Sequence, residues 1–386
     1  MESLDPGVEL RAAAQQARDQ LLQWLLESAY PLWSTRGVDT INGGFHESLN
    51  LRGDPTDAPR RARVQPRQIF AFSKANRLGW KRDPADAVSH GLTYFLTRFR
   101  RSDGLFRTLV GVDGSPIDHK PVLYDQAFAL LSFSAAAAVL GPSFDLRAEG
   151  DQLRAAVYKH FHRVGGGFNS HASPGVPLQS NPHMHLLESA LAWFQASGLP
   201  VWRELAAEIG ELALKHFIDA DSGGLRENFD AAWAPVQGIG GRIVEPGHQF
   251  EWAWMLLNWN GQWREDAREA ACRLIDIGEQ YGVHNGVAIN ALLDDFSIHD
   301  GSARLWPQTE RLRAVALAAR VIGGVRYWKM VNAAAAGLLR YFETKVPGLW
   351  YDQLLPSGEF VEGPVPAGNL YHIVGAIEEL DNLLKH

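Results

Sequence analysis

Two pairs of ionisable residues have a spacing that could do chemistry. His248 and Glu251 open the run "EPGHQFEWAWMLL" (245–257), and His185 and Glu188 stand in "NPHMHLLESALAWF" (181–194). Residues three apart share one face of a helix, so each imidazole can meet a carboxylate. Such a carboxylate raises the basicity of the ring and fixes its tautomer, which suits a group that moves protons near neutral pH. Pro246 and Gly247 mark a loop-to-helix start that exposes His248 at the N-terminal end of its helix. A third histidine, His372, lies in "NLYHIVGAIEEL" (369–380). Taken singly, each is better read as a cap or a satisfied surface group. Other chemistries find less support. "HMH" at 183–185 with Glu188 sketches a metal site, but HExxH is absent, so neither metal nor cofactor is expected. "RVGGGFNS" follows no strand and has no P-loop lysine, and no GxSxG elbow occurs.

These groups gain weight from a repeat. Glycine followed by a large apolar residue recurs at Gly44, Gly104, Gly167, Gly224, Gly286 and Gly348, so that successive glycines lie 60, 63, 57, 62 and 62 positions apart by subtraction. A unit of about 60 residues holds two helices and two connections. Runs such as "DQAFALLSFSAAAAVLG" place apolar residues three and four apart and stop at glycine, while strand-like alternation is confined to short pieces near the turns. Six helical hairpins without polar capping repeats are expected to close into an all-α (α/α)6 barrel, a single domain over 1–386. An irregular all-α protein is the bland alternative. If the second helix of each hairpin lines the ring, Arg63, Tyr124, His185, His248, Trp306 and His372, which follow their glycines by 18 to 24 residues by subtraction, converge on one pocket. On composition alone, Arg63 belongs to a basic run, "PRRARVQPR", that reads as a solvated loop, and Tyr124 and Trp306 read as packing groups. Trp306 or Trp350 could instead stack on the apolar face of a sugar.

The bulk composition narrows the partner. With 386 residues, 46% hydrophobic and 21% charged, the chain can bury a full core. A net charge of −7 argues against nucleic acid or an anionic membrane, and favours a small neutral ligand. Cys272 is the only cysteine, which rules out an intrachain disulfide and points to a cytoplasmic protein. The acidic, polar N-terminus carries no export signal, and "LLSFSAAAAVLG" (130–141) is shorter than the roughly 20 residues that cross a bilayer. A homodimer is compatible with the sequence.

"RVQPRQIFAFSKA" (63–75), "NPHMHLLESALAWF", "EPGHQFEWAWMLL", "RLWPQTERLRA" (304–314) and "NLYHIVGAIEEL" together resemble the N-acylglucosamine 2-epimerase superfamily. That superfamily also holds cellobiose 2-epimerases, mannose isomerases and sulfoquinovose-type isomerases. The resemblance runs from about residue 20 onward, is most specific at PGHxxEW, and implies an (α/α)6 barrel. It implies that His248 and His372 are the acid/base residues, that Arg63 binds substrate oxygens, that His185, Glu188 and Glu251 support the pocket, and that Trp306 walls it. Epimerases of the family often carry HxxR at the last histidine, whereas Gly375 stands at that position here, a form more similar to the mannose isomerase branch.

The expected function is therefore cofactor-free interconversion of free D-mannose and D-fructose through a cis-enediol. One histidine would open the ring; the other, assigned as His372, would carry the proton between C2 and C1, and Arg63 would stabilise the oxyanion. A sugar 2-epimerase shares the first step and remains open. An inverting glycoside hydrolase using Asp125, Glu251 or Glu310 would leave the histidines idle. A non-catalytic sugar-binding barrel would not need them.

Overall fold

Between the glycine turns the apolar runs fold as helices of two kinds. The computed structural model describes residues 6–385 except 172–176 and 260–263. Twelve long helices alternate along the described chain: α1 (Pro6–Trp24), α2 (Val64–Ser73), α3 (Ala85–Arg98), α4 (Leu123–Leu140), α5 (Leu146–Phe161), α6 (Ser180–Ser197), α7 (Pro200–Leu212), α8 (Pro246–Trp259), α9 (Glu265–Tyr281), α10 (Leu305–Val321), α11 (Val325–Leu339) and α12 (Asn369–Lys385). Odd-numbered helices are amphipathic. In α9, for example, Ala267, Ala271, Leu274, Ile275 and Gly278 form one buried stripe. Even-numbered helices are buried on nearly every side, as in α4, where Leu123, Asp125 to Ser134 and Ala136 are all buried. Local signals set the ends: Asp145 accepts from the Ala148 amide at 3.1 Å to cap α5, Pro200 opens α7, and Gly198 ends α6 in the left-handed conformation.

The even helices pack side by side in the order α2, α4, α6, α8, α10, α12, and α12 returns against α2, closing a ring that the odd helices surround. This is the expected (α/α)6 barrel. The closing seam is aromatic: Trp33 stacks on Trp350 with centroids 4.9 Å apart and donates through Nε1 to the Gly348 carbonyl at 3.1 Å. Short strands of two or three residues lie among the turns, the largest group being Arg60–Arg61, Leu109–Val110 and Pro116–Asp118, paired antiparallel in one sheet. Leu123–Ser143 is long and apolar enough to cross a membrane, further than the 12-residue stretch visible by eye, yet it is an inner barrel helix. Burial against neighbours on all sides accounts for its apolar character.

Four of the six turns are fastened to their inner helices by a buried amide. Gln65 accepts from the Phe45 amide and donates to its carbonyl, both at 2.8 Å. Gln126 does the same for Phe106 (2.8 and 3.0 Å), Gln249 for Leu225 (2.8 and 3.2 Å) and Gln308 for Ala288 (2.7 and 2.8 Å). In the third repeat His183 accepts from the Phe168 amide at 3.0 Å, while its Nδ1–H donates to the Gln179 carbonyl at 2.7 Å. His183 is thus a structural histidine, held neutral because burial pushes it down to about 4.

Gln308→Met should leave the Ala288 N–H and C=O buried without partners. At about 1–3 kcal/mol for each orphaned group, we expect a clearly lowered midpoint in urea unfolding followed by circular dichroism, with the assembled helix content unchanged.

Candidate active site

The amide clamps fix which face of their inner helices looks into the ring. Two residues before the clamp stand Arg63, Tyr124, Asn181, Gly247 and Trp306; two residues after it stand Arg67, Phe128, His185, Glu251 and Glu310. These two sets are one helical turn apart on the same face, so they form an outer and an inner tier. In the sixth repeat Leu370 stands where an amide would, two residues before His372. A cavity of about 770 Å³ opens between the helix N-termini, lined by Arg63, Arg67, Tyr124, His185, His248, Glu251, Trp306 and His372 among others. That volume lies within the roughly 300–1,000 Å³ of small-molecule sites.

Of the residues expected from sequence, Arg63, Tyr124, His185, His248, Glu251, Trp306 and His372 meet at this cavity. Glu188 does not line it: it lies behind His185, facing Arg313 and Tyr371. Trp350 is displaced furthest from its expected place. It is fully buried against Trp33 and Trp24 in the closing seam, where no sugar can reach it. The basic run is no solvated loop either, because Arg60 is buried with Asp39 and the Gly43 carbonyl, and Arg61 is paired with Glu47. Arg63 contacts the buried Asp125 at 3.3 Å.

The two histidines have opposite surroundings. His248 Nδ1 lies 2.9 Å from Glu227 Oε2 and 3.8 Å from Glu245. Burial alone would push this ring down, but the charges of Glu227 and Glu245 outweigh it and raise His248 to about 10. It is an imidazolium at neutral pH. His372 Nδ1 lies 2.7 Å from Glu310 Oε1. Burial, with Arg67 and Arg313 nearby, holds His372 well below its ordinary value, so its ring is neutral. Trp306 lies between the two rings, with centroids 5.0 Å from His248 and 5.9 Å from His372. Gly247 makes room for it, since a Cβ there would lie 2.5 Å from the Trp306 ring. His185, pushed down to about 4 by burial, is neutral as well.

Arg67, Glu227 and Arg313 were not anticipated. Arg67 is 9% exposed, bonds the Tyr124 hydroxyl and lies 4.2 Å over the Phe128 ring, with no carboxylate ion pair among the described residues. A buried guanidinium without a counter-ion favours negative charge in the cavity beside it. Glu227 lies three residues after Gly224, as Glu47 does after Gly44, so the turn register could have revealed it. Glu251, Glu310 and His372 bring one donor atom each within 4.8 Å of one another. The cluster suits a metal poorly: His372 Nδ1 and Glu310 are already bonded, and the Arg313 guanidinium lies 3.4 Å from Glu310. A divalent cation there would face a fixed positive charge.

A sequence model of the family described as N-acylglucosamine 2-epimerase (GlcNAc 2-epimerase) matches residues 43–376. The chain is 44% identical over 375 residues to a protein of Rhizobium meliloti (strain 1021) named mannose-6-phosphate isomerase, covering 95% of this chain and 97% of that one. It is 25% identical over 297 residues to a D-mannose isomerase of Thermobifida fusca, covering 70% and 71%. The structure of cellobiose 2-epimerase from Spirochaeta thermophila DSM 6192 superposes with a TM-score of 0.88 at 20% identity, covering 97% of this chain and 98% of that one.

Glu227→Gln removes the charge nearest His248. Loss of a contact ion pair is worth roughly 1–3 pKa units; histidine NMR titration should therefore show His248 releasing its proton at least one unit below the native protein.

Proposed function

The chain belongs to the N-acylglucosamine 2-epimerase family of sugar epimerases and isomerases, and on that premise we propose that it is an aldose–ketose isomerase of the mannose–fructose type. The observation that carries this reading is the opposed surroundings of two histidines facing one cavity: His248 against the carboxylates of Glu227 and Glu245, which favour its charged form, and His372 beside Glu310 with the cations Arg67 and Arg313 nearby, which with burial favour its neutral form. Titratable groups driven apart by their surroundings divide into an acid and a base.

His248, as imidazolium, donates its proton to the ring oxygen and then takes the proton of the anomeric hydroxyl, which opens the pyranose and restores the imidazolium. His372 Nε2 then removes the C2 proton. Negative charge gathers on O1, where Arg67 and Arg63 offer charge-assisted hydrogen bonds. The imidazolium of His372, stabilised by Glu310, exchanges its proton with solvent and delivers one to C1, and proton exchange between O2 and O1 completes the ketose. No oxidant or cofactor is consumed, because C1 is reduced as C2 is oxidised within the same substrate. A 2-epimerase would deliver a proton to C2 on the opposite face, which needs an acid across the sugar. His248 as an imidazolium meets that need, so both outcomes share this site, and the similarity to a D-mannose isomerase favours the isomerase one.

A second reading concerns the substrate. The mouth carries Arg61, Arg63 and Lys120, and Lys120 has no ion-pair partner among the described residues. These cations suit a phosphate on the sugar's terminal carbon, which accords with the name of the Rhizobium meliloti relative.

Incubating the EDTA-treated protein with D-mannose in D2O should yield fructose labelled at C1, read by NMR; glucose labelled at C2 would instead identify an epimerase. The rate should be bell-shaped in pH. Burial pushes Glu310 up to about 7, so proton uptake by the Glu310–His372 pair should lower kcat below that pH, and loss of the His248 proton should lower it near 10. A profile flat from pH 5 to 11 would contradict the assignment. Lys120→Ala should reduce kcat/KM for mannose 6-phosphate about tenfold while leaving that for mannose unchanged; equal values for the two sugars in the native protein would remove the phosphate reading.

A further inference from the structure

Behind the base lies a charge cluster that the acid/base scheme leaves unused. Arg313 of α10 is completely buried, its guanidinium 2.8 Å from Glu188 Oε1 and 3.4 Å from Glu310 Oε2 and 3.5 Å over the Trp254 ring. Glu188 also accepts from the Tyr371 hydroxyl and contacts His185 Nδ1 at 3.4 Å. Three inner helices, α6, α10 and α12, are thereby tied to one cation. Gly375 faces it: a Cβ there would lie in ordinary contact, 3.5 Å from Arg313 Cζ and Nε, so a side chain of arginine length pointing the same way would run into the guanidinium. Gly375 is the position three after His372 at which the sequence departs from HxxR. The departure is therefore not the loss of a positive charge beside the last histidine. A cation still stands beside that position, supplied by the neighbouring helix.

We propose that Arg313, seated against Gly375, is a positioning residue that keeps Glu310 an ionised acceptor and thereby fixes His372 in the Nδ1–H tautomer with its basic Nε2 toward the sugar. Glu310 bonds His372 Nδ1 at 2.7 Å, and that bond can have either polarity. A carboxylate can only accept, which leaves the ring proton on Nδ1 and the lone pair on Nε2. A carboxylic acid would donate, which would move the ring proton to Nε2 and abolish the base. Which form prevails depends on the charges around Glu310. Burial favours the acid; Glu188 and Glu251, both facing it, favour the acid too; Arg313 is the opposing charge. Around the ring itself, Arg67 and His248 add positive charge and Tyr371 adds none at neutral pH. Removing Arg313 therefore leaves three buried carboxyls with no cation in contact with Glu310.

The proposal rests on the isomerase reading only for its kinetic readout. The direct test is the tautomer of His372 in the sugar-free protein, read by nitrogen-15 NMR and assigned by the resonance that disappears in His372→Gln. Native protein should show Nδ1–H, and Arg313→Met should show Nε2–H. Where Arg313→Met fails to fold, Arg313→Met/Glu188→Gln removes one charge of each sign and tests the same point. In turnover, Arg313→Met should lose roughly fiftyfold in kcat at pH 7 with KM little changed, and its acid limb should move up by about two pH units. Arg313→Lys, which retains the cation, should restore the native tautomer and most of that shift. An Nδ1–H tautomer and unmoved acid limb in Arg313→Met, or a lysine variant no better than the methionine one, would overturn the proposal. If the native protein isomerises no aldose while the tautomers change as described, the functional reading fails and this one stands.

Discussion

A pair of hydrogen bonds between one buried amide and the backbone of a glycine turn sets the rotation of four of the six inner helices, and with it where their chemical groups point. Gln65, Gln126, Gln249 and Gln308 each grip a turn through donor and acceptor together, and His183 takes the same place in the third repeat. A helix held in rotation at one residue has no freedom left for the residues two before and two after it. The two tiers of the cavity follow from that register: Tyr124 and Trp306 at the mouth, Arg67, His185 and Glu251 one turn deeper. Because the gripped groups are backbone N–H and C=O that burial would otherwise leave orphaned, the clamp and the integrity of the core are one requirement.

Within that frame the chemistry is set by unequal company. Both histidines are buried, which disfavours a charged ring in each. His248 has Glu227 and Glu245 at its Nδ1 side, and attraction exceeds burial. His372 has Arg67 and Arg313 nearby, and repulsion adds to burial. Two copies of one side chain in one cavity thus come to hold different numbers of protons. Trp306 between them supplies an apolar wall against which a sugar ring can lie without disturbing either state.

The repeat was legible because glycine recurs at nearly equal spacing, and six units imply a ring. The position of the site was legible for the same reason. Its register was not. Counting from the glycines mixed residues of the two tiers, Arg63 and Tyr124 with His185, and passed over Arg67, which the clamp at Gln65 would have found four residues after Arg63. Trp350 has the composition of a sugar platform, and only the packing of the first repeat on the last shows that Trp33 already occupies its face. Arg313 and Glu227 act across helices or from turns, and pairings of that kind depend on three-dimensional neighbours that spacing along the chain does not encode. Gly375, visible as a departure from pattern, had no explanation until the Arg313 guanidinium was found beside it.

The seam between the first and sixth repeats has a consequence for the order in which the protein is made. Synthesis delivers the repeats one after another, and early segments begin to fold before later ones exist. Five repeats can stack, but the face of α2 that awaits α12 and the face of Trp33 that awaits Trp350 stay bare until the sixth is made. His372, the proposed base, arrives with that same repeat. An unfinished ring therefore exposes apolar surface and lacks one wall of the cavity, and the step that hides that surface also completes the cavity.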